Sequence, residues 1–233
     1  MTLLRWNRLP ALGVGLLLLA CGGGGGGGTG PCTPGLATQL TKTGGDAQAW
    51  YVNNPLPTAL SVTVRDANNC PVPGVAVDWT IQTGGGGLGA THSTTTQSTT
   101  NSSGVASTVD SVGSASPQVV RASAGALPTQ DFTTTVGAPP TTEAVSLSGL
   151  RFNPSSVVVQ ANTGTAGVGD VTWTWNDNGI LHNVTFSSGP APLPAPSNTQ
   201  ATGTHLVTFT KVGSYAYHCT LHFGMDGTVT VVH

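Results

Sequence analysis

Near the end of the chain, Tyr217-His218-Cys219-Thr220-Leu221-His222-Phe223-Gly224-Met225 sets a thiolate, an imidazole and a thioether at successive three-residue steps, at Cys219, His222 and Met225. A second imidazole stands upstream, in Leu181-His182-Asn183-Val184. These donors suit one soft metal ion, since thiolate and thioether favour Cu(I) while imidazole serves both copper oxidation states. Two histidines, one cysteine and a weak methionine are the donor set of electron-transfer copper sites, so the residues predict one type 1 copper ion on His182, Cys219, His222 and Met225. Methionine is also a common core filler. Here it completes a four-residue constellation, and the one other methionine is Met1.

The elements that must position these donors read as strands. Gly, Ser, Thr, Pro and Val fill the sequence in short alternating runs with no sustained helical period, which predicts an all-β chain. With 233 residues and 38% apolar content, the chain can fill two modest cores. Only 7% of residues are charged and the net charge is −2, so no basic surface for nucleic acid is expected. Val171-Thr172-Trp173-Thr174-Trp175 is predicted to lead toward the first ligand, and Asn176-Asp177-Asn178-Gly179 to turn the chain so as to deliver His182.

The pattern Tyr217-His218-Cys219-Thr220-x-His222-x-x-Met225-x-Gly227-x-Val229-x-Val231 resembles the ligand loop of the cupredoxins, the plastocyanin and azurin family. Its short His-to-Met spacing is most similar to the amicyanin branch. Leu221 departs from that branch, which carries proline there. Phe152-Asn153-Pro154 followed by Val157-Val158-Val159 resembles the opening strands of the same family. The resemblance covers residues 144–233 and implies a Greek-key β-sandwich with a single type 1 copper. It further implies a non-enzymatic role, carrying single electrons to or from a redox partner such as a cytochrome or a membrane oxidoreductase. Asn183 matches the family's asparagine that ties the two ligand loops together by hydrogen bonds.

A histidine beside the copper cysteine serves a second copper centre in multicopper oxidases and copper nitrite reductases, so His218 raises an enzymatic alternative. Strand alternation points it away from the face carrying Cys219. A catalytic centre would also need more histidines, and the chain offers only His92, His205 and His233, with no His-x-His pair. His218 is therefore expected to be a structural or surface residue.

The rest of the chain reads as delivery and support. Residues 1–20 carry Arg5 and Arg8 ahead of an apolar run too short to span a bilayer, as in a secretory signal. Leu18-Leu19-Ala20-Cys21 resembles the lipobox of bacterial lipoproteins, which implies acylation of Cys21 and a membrane contact through lipid; an ordinary signal peptide is the alternative. Residues 21–34, with glycine from 22 to 28, are expected to form a flexible tether. An exported bacterial lipoprotein, on the periplasmic or cell-surface side of a membrane, is thus expected.

Residues 35–136 carry Val64-Arg65-Asp66-Ala67-Asn68 and Pro71-Val72-Pro73-Gly74-Val75-x-Val77-x-Trp79, which resemble bacterial immunoglobulin-like domains of the invasin and intimin type. That family implies a spacer or binding module. With Cys21 assigned to lipid and Cys219 to copper, Cys32 and Cys70 remain for a disulfide in an oxidising compartment. Residues 137–143, containing Pro139-Pro140, are expected to link the two folded parts. Two other functions stay open: copper storage, delivery or sensing, and an adhesion or scaffold role in which the copper domain is accessory.

Overall fold

The computed structural model of the protein describes residues 32–233; the expected signal segment, Cys21 and the glycine run lie outside them. The described residues are all β-structure, and no helix among them is long and apolar enough to cross a membrane.

The strands of the first sandwich are β1 (Ala37–Gly44), β2 (Gln48–Tyr51), β3 (Leu60–Asp66), β4 (Ala76–Thr83), β5 (Gly86–Leu88), β6 (Thr95–Thr99), β7 (Val105–Thr108), β8 (Asp110–Val112), β9 (Gln118–Ser123) and β10 (Gln130–Gly137). They form a three-stranded sheet, β1-β3-β7, a five-stranded sheet, β2-β10-β9-β4-β6, and the small pair β5-β8. Alternation decides which side chains go in: Val77 and Trp79 of β4 are buried while Ala76 and Asp78 face out. Trp79 packs on Phe132 of β10, with ring centroids 5.7 Å apart, at the centre of a core built from Leu60, Val62, Val64 and Val120.

The second sandwich contains β11 (Thr142–Ser148), β12 (Arg151–Asn153), β13 (Ser156–Gln160), β14 (Asp170–Trp175), β15 (Thr185–Ser188), β16 (Thr204–Thr208), β17 (Gly213–His218) and β18 (Asp226–Val232). Its sheets run β12-β11-β14-β16 and β13-β18-β17-β15. The segment expected as linker contributes Gly137 to the end of β10 and Thr142 to the start of β11. A separate core fills this sandwich: Val171, Trp173 and Trp175 point inward from β14, and Tyr215, Tyr217, Val229 and Val231 from β17 and β18. Trp173 and Tyr217 meet edge-on at 5.2 Å, an arrangement that the ring quadrupoles favour.

Two strand pairings prepare the site. β11 runs parallel to β14 with Leu147 opposite Trp175, so the β11–β12 turn lies beside the loop that leaves β14. β17 runs antiparallel to β18 and closes its ladder at His218 and Asp226, which leaves residues 219–225 as the connecting loop.

Candidate metal centre

The first ligand loop is pinned at His182. Its amide donates to Gln200 O at 2.9 Å, its carbonyl accepts from Gln200 N at 3.0 Å, and the same carbonyl takes the Trp175 indole N–H at 3.1 Å. The residue is wholly buried. Its Nε2 donates to Asp177 Oδ2 at 2.9 Å, and because a carboxylate can only accept, Nε2 must carry the ring proton. That leaves the Nδ1 lone pair free, and Nδ1 faces the Cys219 Sγ at 3.9 Å.

The second loop supplies the other donors. The Cys219 amide donates to Met225 O at 3.0 Å, and the Met225 amide donates to His222 O at 3.3 Å, so the loop closes on itself and brings its ends together. His222 Nδ1 lies 3.5 Å from Cys219 Sγ, and the two histidine rings stand 4.6 Å apart. The ligand atoms of His182, Cys219 and His222 all lie within 4.8 Å of one another. Cys219 and Met225 are buried in the core of the sandwich, whereas His222 is only half buried. Two imidazoles, one buried thiol and one buried thioether, brought together in this way, fit a single copper ion.

Asn183 joins the two loops. Its Oδ1 accepts the Thr220 amide at 2.9 Å, and its Nδ2 donates to the Thr220 hydroxyl at 2.7 Å and to the Thr199 hydroxyl at 3.3 Å. Asp177 has a larger part than its place in a turn indicates: besides His182 it accepts the Gly149 amide at 3.0 Å on Oδ1 and the Leu150 amide at 3.1 Å on Oδ2. The Leu150 and Gly149 amides, with His182, hold its carboxyl below the usual carboxylate range. An acidic residue five positions before a predicted ligand was the one available signal for it.

The remaining histidines stay apart from the centre. His218 lies between the inward-facing Tyr217 and Cys219, on the outer face of β17, opposite Asp226. His205 sits on β16 against Trp173, and burial holds its imidazole below the usual value. The His233 amide donates to Asn54 Oδ1 at 2.8 Å, and His92 lies in the first sandwich. Among the described residues, no other group of three or more metal-binding side chains gathers.

The ligand loops and the neighbouring turn expose several apolar side chains. Leu221 is 50% exposed and Phe223 fully so, Ile180 and Leu181 precede His182 with 41% and 52% exposure, and Leu150 at the neighbouring turn is 46% exposed. An open cleft of about 560 Å³ beside them is lined by Cys219, Leu221, His222, Phe223 and Asp226 among others.

Residues 141–232 match the model of the copper binding proteins of the plastocyanin/azurin family. Solved structures similar to the chain include a reduced-state structure of an amicyanin variant, at 26% identity over 39% of this chain and 82% of that one, with a TM-score of 0.31. Another is reduced auracyanin from the photosynthetic bacterium Roseiflexus castenholzii, at 18% identity over 41% of this chain and all of that one, with a TM-score of 0.32. A third is a purple cupredoxin from Nitrosopumilus maritimus, at 23% identity over 39% and 99% of the respective chains, with a TM-score of 0.31. No curated protein matches the chain. The family match makes the second sandwich a cupredoxin-type domain with a site for one copper ion.

Proposed function

We propose that the protein carries single electrons on one copper ion held by His182, Cys219, His222 and Met225. The observation that carries this reading is the convergence of the three nitrogen and sulfur ligand atoms within 4.8 Å at one end of the sandwich. Bound there, copper supplies a one-electron Cu(I)/Cu(II) couple. The chain's own part is to keep its donors still. His182 is oriented by Asp177, Cys219 and Met225 are anchored in the core, and Asn183 fastens one loop to the other. Burial of three donors keeps water out, so a change of charge on the metal meets little rearrangement of the protein.

The exposed edge of His222 is then the shortest way out for an electron, and the apolar ring around it is the docking face for a redox partner. Arg151 and Asp226 are the exposed charges near that ring, and no lysine or glutamate lies in the ligand loops. Docking should accordingly depend on apolar contact and respond weakly to salt. Storage or delivery would require ready exchange of ligands with solvent or a second protein. The burial of His182, Cys219 and Met225 favours the carrier.

In this reading lipid on Cys21 and the glycine run hold the protein near a membrane, and the first sandwich serves as an immunoglobulin-like spacer between tether and copper. The visible spectrum of the copper-loaded protein tests the central claim. A Cu(II)–thiolate site should give an intense band that Cys219→Ser abolishes; a colourless wild type, or a serine variant that keeps the band, ends it.

A further inference from the structure

We infer that Asp177 is a positioning residue through which the metal ligand His182 and the apolar turn Gly149-Leu150 are coupled, so that the seating of that turn and the balance between the two copper oxidation states are set together. This rests on the copper-carrier reading above. Asp177 is 8% exposed, and its two oxygens take three N–H donors: Gly149 N on Oδ1, Leu150 N and His182 Nε2 on Oδ2. The last two share one oxygen, so neither can shift without disturbing the other.

The turn itself needs this support. Ser148 pairs with Arg151 across a two-residue connection in which Gly149 has φ +61° and Leu150 φ +59°. Such a turn requires left-handed backbone at both central positions, which glycine accepts and leucine disfavours. Both amides of the strained pair end on the same carboxylate that holds His182, and the leucine side chain they carry is left exposed on the turn beside the first ligand loop. Strain kept at a functional surface by a buried anchor is the pattern expected of a built contact point. On the other side, a negative charge hydrogen-bonded to the far nitrogen of a ligand imidazole favours the more highly charged metal.

Coupling of this kind is reciprocal: what the metal does to the turn, the turn does to the metal. Amide hydrogen exchange at Gly149 and Leu150 in the full-length protein, metal-free and loaded with Zn(II), reads one direction. Zinc should slow exchange at both amides in the wild type and leave them unchanged in Asp177→Ala. The reduction potential of the copper-loaded protein reads the other. Asp177→Asn can still accept from His182 while losing the charge, and its preference for Cu(II) over Cu(I) should fall about tenfold, a rise of about 59 mV for a one-electron couple. Asp177→Glu should recover part of both effects. The inference is overturned by wild-type amides indifferent to zinc, by an Asp177→Ala protein that keeps the zinc response, or by an unmoved potential in Asp177→Asn. A colourless wild-type copper complex would instead defeat the carrier reading, and the zinc experiment would still decide the coupling.

Discussion

Asn183 and Thr220 hold each other twice, amide to carbonyl oxygen at 2.9 Å and carboxamide N–H to hydroxyl at 2.7 Å, across 37 positions of sequence. This clasp fixes the separation of the two ligand loops. Asn183→Ala should cost about 1–3 kcal/mol, because the partly buried Thr220 amide loses its acceptor. Copper should still bind, with a broadened spectroscopic signature. A denaturant midpoint and a copper signal both equal to wild type would count against the clasp.

Met225 lies in the core, and its backbone joins both Cys219 and His222. Met225→Leu keeps the apolar volume and removes the thioether. The intense band should persist while the potential rises, as expected of a weak ligand that tunes the metal and adds little to binding. Loss of colour in this variant would mean that the methionine holds the site together.

Asp110 gives the first sandwich its own pH response. It is wholly buried, its Oδ1 takes the Gln118 carboxamide at 2.7 Å while Oδ2 has no partner, and burial pushes its carboxyl up from 3.8 to about 6. The folded form therefore binds this proton more tightly than the unfolded chain does. Its contribution to stability is greatest below pH 4 and is lost as pH rises to about 6. Asp46, Asp66 and Asp131, whose carboxyls are held low, act in the opposite sense. The diagnostic is thus the difference between Asp110→Asn and wild type in denaturant midpoint across that range. A constant difference would remove the assignment.

We propose that Cys32 and Cys70 are bridged. Asp66 supports it, because its Oδ1 accepts the Cys70 amide at 2.8 Å while its Oδ2 accepts the Gly35 amide at 2.8 Å, three residues beyond Cys32. Thiol labelling of unfolded, metal-free, unreduced protein spanning residues 32–233 should find Cys219 alone. Replacing both cysteines by alanine should cost about 2–4 kcal/mol. Three reactive thiols would dispose of the bridge.

Cys21→Ser should release the protein from membranes or block its processing. Membrane retention equal to wild type, with normal signal cleavage, would leave no role for lipid.

The copper ligands were legible because three of the four fall within seven residues and their elements differ sharply from ordinary strand residues. Strand alternation also placed His218 on the outward face of its strand. Asp177 was not legible in the same way. Asn176-Asp177-Asn178-Gly179 reads as turn chemistry, and that reading is locally sound, since the Ile180 amide does donate to Asp177 O at 2.9 Å. Its second task depends on Gly149 and Leu150, which arrive only through the parallel pairing of β11 with β14. The apolar face escaped for a related reason: Leu150, Ile180, Leu181, Leu221 and Phe223 come from three separate loops, and nothing in any one of them distinguishes an exposed leucine from a buried one.

Tyr217 and Gly227 face each other across β17 and β18, and a Cβ added at Gly227 would stand 2.3 Å from Cζ of the tyrosine ring. The ring occupies the space that a side chain would need, two residues before Cys219 and two residues after Met225. It works as a wedge at the mouth of the ligand loop, with its thickness matched to a bare backbone. An alanine introduced at 227 alone would have to displace that ring or spread the strands that deliver the sulfur ligands, and a slimmer residue at 217 would make the room it needs.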